Sequence, residues 1–136
     1  MRDLMASVQL FDDFLIYLVL ALVLLVAFSW LYDKVTPYDE MQLIRDGNTA
    51  AAVAYSGAII GLALPLGSAV AHSVNPIDML IWGVVALAVQ VVVYFLVRRL
   101  LPHLNSNIPE NKVAPAILLA TISLAAGIIN AACLTY

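Results

Sequence analysis

Four long stretches of this 136-residue sequence contain no Asp, Glu, Lys, Arg or His. They cover residues 14–32, 48–71, 79–97 and 113–136. A helix that crosses a bilayer needs about 20 mostly apolar residues, whereas a membrane β-strand needs about 10 and alternates polar with apolar side chains. The four stretches have the helical length and do not alternate. The sequence therefore predicts an all-α integral membrane protein with four transmembrane helices.

The composition excludes several other classes of protein. Hydrophobic residues make up 64% of the chain and charged residues 11%, against about 45–50% and about 25% in soluble domains. A soluble enzyme and a disordered chain are therefore both excluded. Six basic residues and a net charge of -3 do not suit a nucleic-acid binder. The single cysteine, Cys133, allows no disulfide within the chain and no cysteine-based metal site.

The positions of the charges predict the orientation in the membrane. A signal peptide has a basic start and a short apolar core, whereas Asp12 and Asp13 directly precede the first stretch, so we expect an uncleaved helix. Basic residues mark cytoplasmic connections, and five of the six lie in connections one and three: Lys34, Arg45, Arg98, Arg99 and Lys112. We therefore expect a multi-pass protein of a bacterial inner membrane with both termini in the periplasm. Aromatic belts at the interfaces are predicted at Tyr17, Trp30, Tyr32, Trp82 and Tyr136.

The two halves of the chain resemble each other when one is shifted by 65 residues. Repeat one covers residues 13–71 and repeat two covers residues 78–136 of the single membrane domain, 1–136. The matches include Asp13 with Asp78 and Pro37 with Pro102. Each half holds two spans, so both halves enter the membrane in the same direction. The prediction is a tandem parallel repeat of two helices, not the inverted repeat found in many transporters.

Small residues are concentrated in the second and fourth spans. Because lipid tails are as apolar as Leu, helices in a bilayer associate where small side chains let their backbones approach. We therefore expect spans two and four to pack in the interior, with spans one and three facing lipid. The predicted packing residues are Ala50, Ala54, Gly57, Gly61, Ala116, Ala120, Ser123, Gly127 and Ala131.

A few polar or helix-breaking residues lie inside the spans. They could line a pore or polar path, or they could only make a kink and hydrogen bonds between helices. These residues are Ser56, Pro65, Ser68, Gln90, Thr121 and Asn130. Three carboxylates at the predicted outer side, Asp12, Asp13 and Asp78, would form the mouth of such a path and favour cations.

The spans lack the groups that catalysis or proton coupling needs. Proton-coupled transporters carry a titratable side chain within the bilayer, and none lies within these spans. His72 and His103 fall on opposite sides of the predicted topology and cannot share a metal. We therefore predict a protein that is not an enzyme, with no catalytic residue, no cofactor and no metal site.

The first connection is predicted to contain a short interfacial helix at about residues 37–46. Thr36 is a suitable N-cap and Pro37 suits the first turn. Asp39 and Glu40 would favour the positive end of the helix dipole. Gly47 would end the helix, and Asn48 or Thr49 would cap the second span.

The same region carries a resemblance to a known family. Its residues are Thr36, Pro37, Glu40, Leu43, Ile44, Asn48, Thr49, Ala50, Ala51, Ser56 and Gly57, together with the ending 127–135. These resemble the YjfL family of bacterial inner-membrane proteins, a family of unknown function. The resemblance implies four spans built from a duplicated two-span unit, and a link to envelope-stress gene sets. It implies no catalytic residue.

Three functions remain open from the sequence. The first is an oligomeric inner-membrane module with a central narrow ion pore. The second is a scaffold whose interfacial helix recruits a cytosolic protein partner in an envelope stress response. The third is a facilitator of a small neutral solute that passes Gln90, Asn130 and Ser56. The expected partners are membrane lipid and further copies of the chain.

Overall fold

The computed structural model describes residues 2–134, which form six helices and no strand. The helices are α1 (Arg2–Val35), α2 (Glu40–Arg45), α3 (Thr49–His72), α4 (Pro76–Leu100), α5 (Leu104–Asn107) and α6 (Val113–Cys133). Helices α1, α3, α4 and α6 are long and apolar enough to cross a membrane. The predicted all-helical fold with four spans is thus confirmed. Residues 135 and 136, with the aromatic belt position Tyr136, lie outside the described residues.

Helix α1 is longer than a membrane crossing requires. Its 34 residues give a length of about 51 Å at about 1.5 Å per residue, whereas the hydrocarbon core is about 30 Å thick. Asp12 and Asp13 lie within this helix, roughly one third of the way along it. The first three turns of α1 therefore extend beyond the apolar segment that starts at Phe14.

The four long helices pack as two parallel pairs. Helix α3 lies against α6 with the most extensive contact in the bundle, and α4 packs against both. Helix α1 packs against α4 and α3 and leaves most of its surface exposed. Gly57 meets Ala120 and Ser68 meets Ala131, so the contacts advance in the same direction along α3 and α6. These two helices therefore run parallel to each other.

The connections that join α1 to α3 and α4 to α6 lie at one end of the bundle, which we call the basic end because it carries Lys34, Arg45, Arg98, Arg99 and Lys112. The opposite end, with Asp78, is called the acidic end. Both basic-end connections finish with a residue at positive φ, Gly47 at 87° and Asn111 at 60°. Glycine reaches this conformation without a Cβ clash, and asparagine is one of the few other residues that tolerate it.

The two basic-end connections end with the same backbone hydrogen bonds. Gly47 N–H donates to the Ile44 carbonyl and Asn48 N–H to the Leu43 carbonyl. The N–H groups of residues 111 and 112 donate in the same way to the carbonyls of residues 108 and 107. This likeness supports the predicted tandem repeat, although its spacing is 64 residues and not 65. The repeat itself stays a prediction.

Asn48 joins the two connections directly. Its Oδ1 accepts from Ala51 N at 2.8 Å and so caps α3, as the sequence predicted. Its Nδ2 donates to the Ile108 carbonyl at 3.0 Å and lies 3.2 Å from the Pro109 carbonyl. Asn111 in turn accepts from Ala50 N at 3.0 Å. The basic end is therefore a single hydrogen-bonded unit.

The short helix of the first connection starts later than predicted. It begins at Glu40 and not at Pro37, and Asp39 is its N-cap in place of Thr36. Asp39 Oδ1 accepts from Gln42 N at 3.3 Å, whereas the Thr36 hydroxyl lies 3.0 Å from the Tyr32 carbonyl. Thr36 therefore extends the end of α1, and the chain turns between it and Asp39.

Candidate functional site

The structure places the residues predicted for helix packing at the contact between α3 and α6 or next to it. Eight of the nine are buried, and Ala131 is half-buried. A Cβ at Gly57 would lie 2.5 Å from the Cα of Ala120, and one at Gly61 would lie 2.5 Å from the Ser123 carbonyl oxygen. The two backbones are thus closer than any larger side chain would allow. The bundle interior is closed at this level by direct contact of the two helices.

Pro65 affects the same contact because it leaves one backbone carbonyl of α3 without its usual helical hydrogen bond. A proline at position 65 has no N–H for the carbonyl four residues earlier, which belongs to Gly61. A Cβ built on Gly127 would overlap that carbonyl oxygen, so a Cα–H of Gly127 points at it. Cα–H···O contacts of this kind recur between closely packed helices. Gly127 thus gives the freed Gly61 carbonyl a weak donor within the protein.

The residues predicted to line a polar path do not form one path through the described bundle. Gln90 is 1% exposed and donates to the Ser123 carbonyl at 3.1 Å. Ser68 donates to the Ala131 carbonyl at 2.9 Å. Pro65 is buried, and Asn130 is half-buried with its Nδ2 unpartnered among residues 2–134. Gln90 and Ser68 therefore bind helix to helix.

Ser56 and Thr121 differ from the other predicted path residues because both are exposed on the outside of the bundle. Thr121 donates to the Ile117 carbonyl of its own helix at 2.7 Å. Ser56 lines a mainly apolar groove of about 390 Å³ that runs between α3 and α6. We call it the α3–α6 groove; it is lined by Ala52, Val53, Ser56, Gly57, Ile60, Ala120 and Leu124.

The predicted acidic mouth is spread over two helices. Asp12 and Asp13 are exposed on α1, and Asp13 accepts from Gln9 at 3.2 Å. Asp78 is half-buried in the first turn of α4, where its Oδ2 accepts from Val74 N at 3.2 Å. Asp78 therefore has a local structural role, while the two α1 carboxylates face the surroundings.

Sequence reasoning missed a buried polar cluster at the basic end. Glu40 was interpreted as a dipole partner at a helix start, yet it is 1% exposed. The turn after Thr36 folds Glu40 back beneath α1, and the Thr36 hydroxyl lies 2.5 Å from Glu40 Oε1. Tyr32, predicted for an aromatic belt, is 2% exposed and also belongs to this cluster.

Aromatic rings enclose this cluster on the side of the bundle. The Tyr32 ring lies 5.5 Å from that of Tyr94 and 6.0 Å from that of Tyr55, in edge-to-face arrangements. The Asn105 amide lies between two side chains: its Nδ2 donates to the Tyr94 hydroxyl at 2.6 Å, and its Oδ1 accepts from Arg98 Nε at 3.0 Å. The nearest guanidinium thus points at Asn105 and not at Glu40.

Burial changes the acidity of Glu40 strongly. Removal from water raises its pKa from 4.5 to about 8, and a hydrogen bond with the Asp33 carboxyl raises it as well. The Thr36 hydroxyl acts in the opposite direction because it donates to the carboxylate. Burial also raises the pKa of the Tyr38 phenol. Without a counter-charge, Glu40 is therefore mostly protonated at neutral pH.

Together these features define a class: a helical membrane protein with four candidate spans, a glycine-rich core contact and a buried acidic cluster at one end. Within that class, the chain belongs to the family described as Domain of Unknown Function (DUF350), which matches residues 4–134. The predicted resemblance to the YjfL family is thereby confirmed.

Individual relatives agree with this assignment. The chain is 38% identical over 120 residues to the UPF0719 inner membrane protein YjfL of Escherichia coli strain K12. The aligned region covers 88% of this chain and 91% of that protein. The YjfL protein of Escherichia coli O157:H7 matches equally. The UPF0719 transmembrane protein YshE of Bacillus subtilis strain 168 is 30% identical over 87 residues, 64% of this chain and 65% of that protein. No solved structure matches this chain.

The names of these relatives place them in membranes and state no enzymatic activity.

Proposed function

We propose that this chain is a non-enzymatic inner-membrane module that associates with copies of itself through the α3–α6 groove. The observation that carries the proposal is the position of Ser56, a hydroxyl exposed on the outside of a membrane helix. Among residues 2–134 its hydroxyl makes no hydrogen bond. A polar group that faces lipid is costly, and a second copy of the chain can supply a partner for it.

The shape of the groove supports the same occupant. The small residues Ala52 and Ser56 face outward along it and let another helix approach closely, and the gain in dispersion contacts drives association in a bilayer. An acyl chain would fill the apolar part of the groove but would leave the Ser56 hydroxyl unpaired.

An ion path, in this proposal, lies between copies. The core of one bundle is closed where Gly61 meets Gly127, whereas Ser56 and Thr121 face outward. Copies that meet at these residues would surround a narrow hydroxyl-lined space. With the termini in the periplasm, as the basic residues predict, Asp12 and Asp13 would attract cations at its outer mouth.

Cross-linking in native membranes tests the association. Cys133, which is free and exposed, is first replaced by Ser, and Ser56→Cys is then compared with Val23→Cys. Val23 is 57% exposed on α1 and is the matched control. A short bismaleimide should join Ser56→Cys chains efficiently and Val23→Cys chains poorly. Equal yields from both variants, or no dimer from either, would reject the groove as the interface.

Flux measurements test the ion path separately. In liposomes we expect cation flux that Ser56→Leu blocks and that Asp12→Asn with Asp13→Asn reduces. If Ser56→Cys cross-links but no ion crosses the membrane, the module stands and the pore is rejected.

The scaffold alternative has less structural support. Leu43 and Ile44 of α2 are half-buried against the core, which leaves Met41 as the one exposed large apolar side chain of that helix. This is a small surface for a stable protein partner.

A further inference from the structure

Two carboxyl groups lie side by side at the basic end, near the point where α1 gives way to the first connection. Glu40 is 1% exposed, Asp33 is half-buried, and the two carboxyls are hydrogen-bonding neighbours. Two adjacent carboxylates away from water both stay ionised only if a cation lies between them, and otherwise they share a proton.

One buried hydroxyl of this cluster, Tyr32 Oη, has no hydrogen-bond partner among residues 2–134. Tyr32 is 2% exposed and lies within electrostatic range of Glu40. The carboxyl oxygens Asp33 Oδ1 and Glu40 Oε2 are buried too, and the partner of each carboxyl is the other, which requires a shared proton. Buried polar atoms in folded proteins are nearly always paired, and a cation in place of that proton would satisfy both carboxyls and the Tyr32 hydroxyl.

The basic side chains near the cluster do not neutralise it. Neither Asp33 nor Glu40 forms an ion pair with a basic residue in the described chain. Lys34 is exposed and lies over the Trp30 ring, 5.6 Å from its centre. Arg98 of α4 points at Asn105. The remaining groups that face the cluster are neutral phenols, those of Tyr55 on α3 and of Tyr94 on α4.

A route into the cluster exists from the basic end. A mainly polar pocket of about 360 Å³ is lined by Asp33, Lys34, Thr36, Pro37, Tyr38 and Asp39. Asp33 and Tyr38 line this pocket, whereas Glu40 and Tyr32 lie behind them and do not. The carboxyl pair is therefore approached from the Asp33 side of the pocket, by an ion that has lost part of its hydration water.

We propose that Asp33 and Glu40 bind a hard divalent cation, Ca²⁺ or Mg²⁺, at a site completed by the hydroxyls of Tyr32 and Tyr38 and by water from the pocket. Hard cations take oxygen ligands, chiefly carboxylates, carbonyls and water, and here the two phenol oxygens would take the place of carbonyls. Two ionised carboxylates match the charge of a divalent ion.

Terbium luminescence tests the site in purified full-length protein in detergent. Tb³⁺ replaces Ca²⁺ at oxygen sites and emits strongly only when a nearby aromatic ring transfers excitation to it. Excitation of tyrosine should give Tb³⁺ emission that saturates, and Ca²⁺ or Mg²⁺ should compete it away. Glu40→Gln and Asp33→Asn should each lower the emission at least fivefold. Asp46→Asn, an exposed carboxylate of the same connection, should leave it unchanged.

Thermal unfolding gives a second measurement that does not depend on terbium. Addition of Ca²⁺ or Mg²⁺ after chelation should raise the Tm, and an equal ionic strength of KCl should not. Glu40→Gln should abolish the cation effect while retaining the fold, since an amide still accepts from Thr36. Emission that is equal in all variants, or a Tm that neither cation changes, would overturn the cation site and leave a shared proton in its place.

Discussion

Replacing Gly127 by Ala should destabilise the bundle, and replacing Gly67 by Ala should not. Gly127 packs against the Gly61 backbone, and a Cβ there would overlap the Gly61 carbonyl oxygen and lie 2.7 Å from the Gly61 Cα. A Cβ on Gly67, in the exposed part of α3, would have nothing within 4 Å. Both changes add one methyl group to an internal position of a long helix, so each is the control for the other.

The magnitude follows from two opposing effects. Gly→Ala inside a helix stabilises it by about 1 kcal/mol, and this gain is similar at both positions. Overpacking a close contact costs about 1–3 kcal/mol. At Gly127 we expect the upper end, because the atoms that clash belong to backbone and no rotamer change relieves them. The methyl group also replaces the Cα–H that faces the Gly61 carbonyl.

We therefore expect Gly127→Ala to lose about 2 kcal/mol of unfolding free energy, from an overpacking cost near 3 kcal/mol and the helix gain. Gly67→Ala should gain up to about 1 kcal/mol. Unfolding by SDS in mixed micelles, followed by the fluorescence of Trp30 and Trp82 with no more than one chain per micelle, measures both. Equal stability of the two variants would show that the α3–α6 backbone contact is not this close.

Three further results are expected. With a chelator present, the free energy of unfolding should fall as pH rises from about 5 to about 8. The cause is Glu40, whose pKa is about 8 in the folded chain against an ordinary 4.5, so that it favours folding only while protonated. Thermal unfolding at several pH values measures this slope, and Glu40→Gln should remove it. Asn48→Ala should cost more than Asn75→Ala in SDS unfolding, about 2–3 against about 1 kcal/mol, because both cap a helix but only Asn48 also donates to the other connection. Gln90→Met should cost less than about 1 kcal/mol by the same method, as is usual for a single hydrogen bond between membrane helices; a loss above 3 kcal/mol would contradict this.

The spans and the packing surface were predictable from the sequence because each depends on local composition. A run without charges such as residues 79–97 can be stable in lipid only as a helix. A close contact between two helix backbones is marked by Gly57, Gly61 and Gly127, because a residue without a side chain leaves room for the facing backbone. These features do not depend on how distant parts of the chain are arranged.

The buried acid was not predictable by the same reasoning. The sequence places Glu40 at the start of a short helix, where an acidic residue usually faces water and the helix dipole. Its burial results from the turn at Thr36 and from rings contributed by Tyr55 and Tyr94, which are far away in sequence. The docking of Asn48 on the second connection depends on the tertiary fold in the same way.

The two kinds of unsatisfied polar group point to two different kinds of partner. Ser56 is unpaired on the outer surface of a helix, where a second copy of the chain can supply a partner within the membrane plane. Tyr32 Oη is unpaired inside the bundle beside the Asp33 and Glu40 carboxyls, where the proposed partner is a cation and not a protein. Because α3 carries both Ser56 and Tyr55, whose ring contacts Tyr32, an ion that fixes the cluster would also fix the end of the helix that forms the proposed interface. Cation binding and self-association should then be coupled, and Glu40→Gln should remove any effect of Ca²⁺ on the cross-linking of Ser56→Cys chains.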